Sequence, residues 1–305
     1  MNVIETRKLT RKFGAKEAVS GLDLSVKEGG IYALLGPNGA GKTTTLRTLM
    51  NILSPSEGEA SVLGADSRWL SPTEFAQIGY VSENQDMPEW MTVGNFLDYC
   101  RSFYPSWDRD FEGRLLGQFG LEKDKRLKDL SRGTRMKAAL LSSLAYHPRL
   151  LVLDEPFSGL DPLVRDEFVQ GILELSDQEK WTVLVSSHDV DEVERLADTV
   201  GILNEGKLFL SESTEALQGR FRQVALRLPS GGRLPDPAPS SWIQVEREGD
   251  IVKFVESAYR EGTWEKEIRG VLPQAEGLAV TPLSLREIFV VLARVFRLPV
   301  SGGKS

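Results

Sequence analysis

The stretch Gly36, Pro37, Asn38, Gly39, Ala40, Gly41, Lys42, Thr43 satisfies the spacing G-x-x-x-x-G-K-[ST] and constrains this chain more than any other feature. The apolar run at 31–35 before it reads as a buried strand. Behind it, Leu46, Leu49, Met50 and Leu53 recur at i, i+3, i+4 and i+7, which predicts a helix with one buried stripe. A strand, a glycine-rich turn and a helix in that order aim backbone N–H groups and a helix N-terminus at phosphate oxygens. Lys42 adds a point charge, and the hydroxyl of Thr43, followed by Thr44, suits Mg²⁺ beside the phosphates of ATP. A glycine-rich turn that holds no nucleotide is the plainer alternative, and the strand and helix around the motif argue against it.

A second buried strand, 150–153, ends in Asp154 and Glu155. Two acids at the end of an apolar strand are costly unless a cation or substrate uses them. Asp154 is placed to hold Mg²⁺ through water, and Glu155 to act as general base for water attacking a γ-phosphate. A solvent-facing acidic pair becomes a weak alternative beside a phosphate-binding loop.

Short apolar runs, including 182–185, alternate with helical patterns to about Leu217, as in an α/β domain with a mostly parallel sheet. Such sheets bind ligands beyond the carboxyl ends of their strands. Between about 84 and 147 the pattern is helical, with Phe96, Tyr99 and Phe103 expected in the core of an inserted subdomain. The Gly/Pro/Ser stretch 230–240, flanked by VALRL and WIQVERE, marks a smaller second domain. The expected division is 1–217 and 218–305. The last helix carries Leu285, Ile288, Phe289, Leu292, Val295 and Phe296 on one stripe, for packing within the domain or a dimer contact in preference to a membrane-surface anchor.

The net charge of −7 argues against nucleic acid as a partner. Cys100, the single cysteine, excludes an internal disulfide and reads as a small buried residue. The apolar run 288–293 is cut by Arg294, far short of the roughly 20 residues of a membrane span. The N-terminal segment lacks the apolar block of a secretory signal, so a cytosolic chain is expected.

LSRGT at 130–134 precedes a helix with Ala138, Leu141 and Ala145 on one face, and SGLDP at 158–162 and SSHD at 186–189 follow the acidic pair. In order and spacing these motifs resemble the signature, D-loop and switch histidine of ABC transporter ATP-binding subunits, over about 3–217. The resemblance implies an α/β fold: a P-loop NTPase ABC ATPase domain with an inserted helical subdomain, plus a small α+β C-terminal domain. It also implies a head-to-tail dimer with two ATP molecules between the protomers. Ser131 and Gly133 would reach the γ-phosphate across the interface, His188 would contact that phosphate and orient water, and Asp161 would link the two sites. Phe13 falls where the family stacks an aromatic ring on adenine, and phenylalanine offers the needed π-face. Read alone, Phe13 fits a core residue better than an adenine contact, His188 could equally be a hydrogen-bonded core histidine, and His147, before Pro148, reads as structural.

Two departures stand out. Glu83 occupies the Q-loop glutamine position, with Gln85 two residues on, and the signature has Arg132 and Thr134 in place of glycine and glutamine. Glu83 keeps an oxygen ligand for Mg²⁺ and adds negative charge. With the C-terminal TPLSLREIF, these features are similar to daunorubicin-resistance-type bacterial exporters. The implied partners are a second ATPase protomer, identical or paralogous, and a separately encoded integral membrane permease, met through the helical insert with Trp90 and Met91 as candidate contacts, for which local core packing is an equal alternative. The chain would sit on the cytoplasmic face of the membrane. An importer subunit, or a soluble ABC ATPase of translation or DNA repair, is the alternative; the single P-loop and the lack of a long coiled coil oppose the soluble classes. A regulatory protein that does not hydrolyse ATP is opposed by Lys42, Asp154, Glu155 and His188.

Overall fold

The computed structural model describes residues 1–83, 85–229 and 232–295; Asn84, Ser230, Gly231 and Phe296, each part of a segment named above, lie outside the described residues. The chain forms two compact units, Met1–Ser211 and Glu212–Ser305.

In the first unit, β1 (Asn2–Phe13), β2 (Lys16–Leu22) and β3 (Ser25–Lys27) precede β4 (Gly30–Leu35), which runs through the glycine-rich loop into α1 (Lys42–Leu49). β5 (Glu57–Val62), β6 (Ala65–Asp66) and α2 (Pro72–Phe75) lead to β7 (Ile78–Ser82). The helical insert follows as α3 (Val93–Arg101), α4 (Arg109–Phe119) and α5 (Arg132–Leu144). The unit closes with β8 (Leu150–Asp154), α6 (Pro162–Glu179), β9 (Thr182–Ser187), α7 (Val190–Glu194), β10 (Thr199–Asn204) and β11 (Lys207–Ser213), whose last two residues fall in the second unit.

Strands β11-β10-β4-β9-β8-β7 form one sheet, with β10, β4, β9, β8 and β7 paired in parallel; β2-β1-β5-β6 form another, with β3 on β1. β8 and β9 are buried along their whole length, as the central strands of a covered parallel sheet are. Leu34, Val152 and Leu184 of the parallel sheet, Ile4, Leu9 and Leu22 of the other, and Leu46 and Leu49 of α1 share one core.

The sheet register positions the site. Asp154 pairs with Ser82 on one side and Ser186 on the other, and Leu35 pairs with Ser187, so the carboxyl ends of four strands finish together.

Two expectations on helix stripes fail. α1 stops at Leu49 because Asn51 turns the chain with φ 55°, which leaves Leu53 beyond the helix. Phe96 is buried, but Tyr99 and Phe103 are 53% and 61% exposed and pack edge to face on each other at 5.1 Å. The buried face of α3 is Val93, Phe96 and Leu97, and Phe103 falls after the helix has ended.

In the second unit, α8 (Thr214–Arg220) leads to β12 (Arg222–Arg227), β13 (Trp242–Glu248), β14 (Ile251–Glu256), α9 (Trp264–Val271), β15 (Glu276–Pro282) and α10 (Leu285–Val295). The strands form an antiparallel sheet, β13-β14-β12-β15, over a core of its own around Trp242, Phe254 and Trp264. The boundary falls before α8 rather than after Leu217, because α8 packs on α10. Leu285, Ile288, Phe289 and Leu292 are buried, which gives that stripe to packing within the unit, while Val295 is half exposed. Among the described residues no helix is long and apolar enough to cross a membrane.

Candidate functional site

The glycine-rich loop turns into α1 at Gly41, whose φ is 104° and where a Cβ would lie 2.3 Å from the carbonyl oxygen of Ala18. Only glycine takes that conformation in that space. The turn places Lys42 in a buried position, its ammonium donating to the carbonyl oxygens of Gly36 at 2.6 Å and Pro37 at 3.1 Å. The same ammonium lies 3.0 Å from Glu155 Oε1. The other carboxylate oxygen of Glu155 is 2.7 Å from His188 Nδ1. Lys42, Glu155 and His188, expected from three separate motifs, therefore form one chain of polar contacts.

Glu155 adopts φ 51°, a conformation that strains a residue with a side chain and recurs at functional sites. Its N–H donates to Ser186 Oγ at 3.0 Å, which ties the turn after β8 to the end of β9. The pull of the sheet register and of this bond aims the carboxylate between Lys42 and His188.

Asp154 is buried, and its Oδ1 accepts from Thr43 Oγ1 at 3.0 Å and Ser186 Oγ at 2.8 Å. Burial pushes its carboxyl above the ordinary aspartate range, and the two hydroxyl donors oppose that only in part. A buried carboxylate whose charge is disfavoured, with a hydroxyl beside it, is a donor set that a divalent cation would satisfy, so Thr43 and Asp154 fit Mg²⁺.

Glu83 follows β7, and its N–H donates to the carbonyl oxygen of Asp154 at 2.9 Å. Its side chain is engaged elsewhere: Oε1 accepts from Ser158 Oγ at 2.7 Å and from Arg132 Nη2 at 2.8 Å. The Ser158 bond, with help from Arg132, holds this carboxyl below the usual glutamate range. Gln85 accepts weakly from the N–H of Ser82 at 3.4 Å. The Glu83–Arg132 ion pair was not legible in the spacing; the only signal was that two of the three residues departing from the family pattern, Glu83 and Arg132, are charged and opposite in sign.

Ser131 caps α5, its Oγ accepting from the N–H of Thr134 at 3.1 Å. Gly133 is buried where α5 approaches α6, and a Cβ there would come 2.7 Å from Val164 Cγ1, so any side chain at this position would have to displace Val164. Asp161 caps α6 through the N–H of Val164 at 3.1 Å. Phe13 is half exposed, with the Arg11 guanidinium 4.6 Å from its ring centre, and is not a core residue. His147 stacks on Phe111 and meets Asp108 at 3.1 Å, a structural role as expected.

The site missed by sequence reading is a second acid near His188. Glu192 of α7 is buried, accepts from Ser187 Oγ and lies 3.4 Å from Arg165 Nε. Burial raises its carboxyl despite these partners.

Residues 19–158 match the family model described as ABC transporter. The bacitracin transport ATP-binding protein BcrA of Enterococcus faecalis is 31% identical over 234 residues, covering 76% of each chain. The daunorubicin/doxorubicin resistance ATP-binding protein DrrA of Streptomyces peucetius is 35% identical over 230 residues, covering 74% of this chain and 69% of that one. A bacterial ABC transporter cassette solved as a dimer, MJ0796, shares the fold with a TM-score of 0.62 at 22% identity, over 69% of this chain and 98% of that one.

Proposed function

Because the chain belongs to the ABC transporter family of ATP-binding proteins, and is an ATP-binding and hydrolysing subunit of that type, we propose how its residues divide the work. The observation that carries the reading is the chain of polar contacts Lys42–Glu155–His188, its first two members buried, beside Thr43 and Asp154.

Lys42 is neutralised by Glu155, so an incoming triphosphate competes for the same ammonium. When phosphate oxygens take Lys42, the Glu155 carboxylate is released to accept a proton from water, and His188 holds its second oxygen and lies beside the γ-phosphate. Thr43 and Asp154 would hold Mg²⁺, which neutralises phosphate charge when bound. Glu83 would add its second carboxylate oxygen to that set while Oε1 stays bonded to Ser158 and Arg132. The backbone of 36–41, with Thr44, cradles the phosphates, and the exposed ring of Phe13 stacks on adenine.

Two protomers, identical or paralogous, enclose two ATP molecules, with Ser131 and Gly133 of one facing the nucleotide of the other and Asp161 near the twofold axis. The partner is an integral membrane permease, and the names of BcrA and DrrA support export of a drug or peptide from the cytoplasmic face. A cleft of about 470 Å³ lined by Ile52, Phe75, Tyr80, Phe96, Tyr104 and Tyr146 offers that permease an apolar recess. The exposed Trp90 and half-buried Met91 lie in the loop ahead of α3 and extend the candidate contact.

Glu155→Gln tests this assignment. It is expected to bind MgATP, to lose about 10²–10⁴-fold in turnover, and to double in mass by light scattering with MgATP because uncleaved nucleotide holds the dimer. Normal turnover in this variant would place the general base elsewhere.

A further inference from the structure

Arg132 is the first residue of α5, yet its guanidinium reaches two other segments of the protein. One Nη donates to Glu83 at the end of β7, at 2.8 Å. The guanidinium also covers Gly159, where a Cβ would come 2.6 Å from Nη1. Any side chain at 159 would therefore displace it. Ser158, the residue before, donates to the same Glu83 oxygen at 2.7 Å. Glu83 is in turn anchored by its N–H to the carbonyl of Asp154. One arginine thus joins the capped start of α5 to the turn that follows Glu155 and to the strand end next to Asp154.

Charge explains why both residues depart together from a neutral pattern. A lone glutamate beside a triphosphate repels it, and among the described residues Glu83 is the acid that Arg132 pairs with. Both side chains are partly exposed, so the pair adds little to global stability. Its effect is geometric.

We propose that Arg132 is a positioning residue for ATP hydrolysis: through Glu83 and the Ser158–Gly159 turn it sets the start of α5, with Ser131, in register with Asp154 and Glu155. This deepens the ATPase reading above and rests on it. The two charges act as one unit, and each masks the other from the nucleotide.

The purified full-length chain tests the unit with Glu83→Gln, Arg132→Gln, the double variant and Arg132→Lys. Without nucleotide, amide hydrogen exchange at 82–91 and 158–161 is expected to speed up by about threefold in Arg132→Gln, the size of an interaction between coupled neighbours. With MgATP, each neutral single variant is expected to lose about threefold in kcat with KM changed by less than about twofold, and the double variant to be no slower than the worse single. Arg132→Lys, which keeps the charge, recovers at least half of the loss. Losses that multiply in the double variant, a lysine variant as slow as the glutamine one, or wild-type exchange and kcat in Arg132→Gln would each overturn the proposal. A wild-type chain that fails to hydrolyse ATP would sink the ATPase reading instead, and the exchange measurement would still decide whether the three segments are joined.

Discussion

At the scale of single residues, Asp154 is where folding and chemistry conflict most. Its folded-state pKa lies above the ordinary value of 3.8, with burial the first cause. A carboxyl raised in this way contributes stability below its unfolded pKa and loses it as pH rises through the folded one, so at neutral pH its ionisation destabilises the protein. Asp154→Asn should remove that cost. Both hydroxyl donors, Thr43 and Ser186, bond to Oδ1, which an asparagine carbonyl oxygen can replace. Without nucleotide or metal at pH 7 the variant is expected to melt about 2–4 °C higher than wild type, the gap closing as pH falls toward the carboxylate range, while MgATP hydrolysis is lost. A lower melting temperature at pH 7 would mean that the buried charge is already compensated. Lys42 and Asp154 were legible in the motifs, but the pairing of Lys42 with Glu155 was not, because it depends on where two distant loops finish.

At the scale of the element, α5 shows one side chain serving two demands. Ser131 is its N-cap, and the first turn carries Arg132 and Arg135 with no acid to complement the helix dipole. The two guanidiniums pair with Glu83 and Glu89, which leaves the first N–H groups of the helix and Ser131 to meet an anion, as the dimer proposed above requires. The two demands can be separated. Ser131→Ala should cost about 1 kcal/mol of stability through the lost cap, whereas Ser131→Asp keeps a capping oxygen and should match wild type within about 0.5 kcal/mol. In a Glu155→Gln background both should weaken the MgATP dimer, Asp more than Ala, because its charge opposes phosphate. Chemical denaturation and light scattering report the two effects; an aspartate variant that dimerises like serine would leave Ser131 a cap and nothing more. The existence and face of α5 could be read from Ala138, Leu141 and Ala145, all fully buried. The exposed Tyr99 and Phe103 could not, because periodicity says which residues share a stripe and not where the helix stops.

At the scale of the whole molecule, two separate cores predict two unfolding events. The core around Leu34, Val152 and Leu184 belongs to Met1–Ser211 and the one around Trp242, Phe254 and Trp264 to Glu212–Ser305. Scanning calorimetry should resolve two transitions, and MgATP at about 100 Kd should stabilise only the first, by about 2.7 kcal/mol. A single transition that moves as one body with nucleotide would show that the units unfold together. By itself the sequence determined the strand, loop and helix around Lys42, the acids after the apolar strand at 150–153, and the presence of a second domain that contains a Gly/Pro-rich loop. Those features are local: backbone geometry sets the periods of helices and strands, glycine sets the turn, and a few neighbouring residues suffice to encode each. Tertiary structure alone decided that Asp154 stands between Ser82 and Ser186, that Lys42, Glu155 and His188 touch, that α8 belongs to the second unit, and that Arg132 meets Glu83 across 49 residues of sequence. Such contacts depend on parallel register and on how α5 packs against α6, which arise from the burial of whole strands and helices together and leave no spacing in the chain to be read.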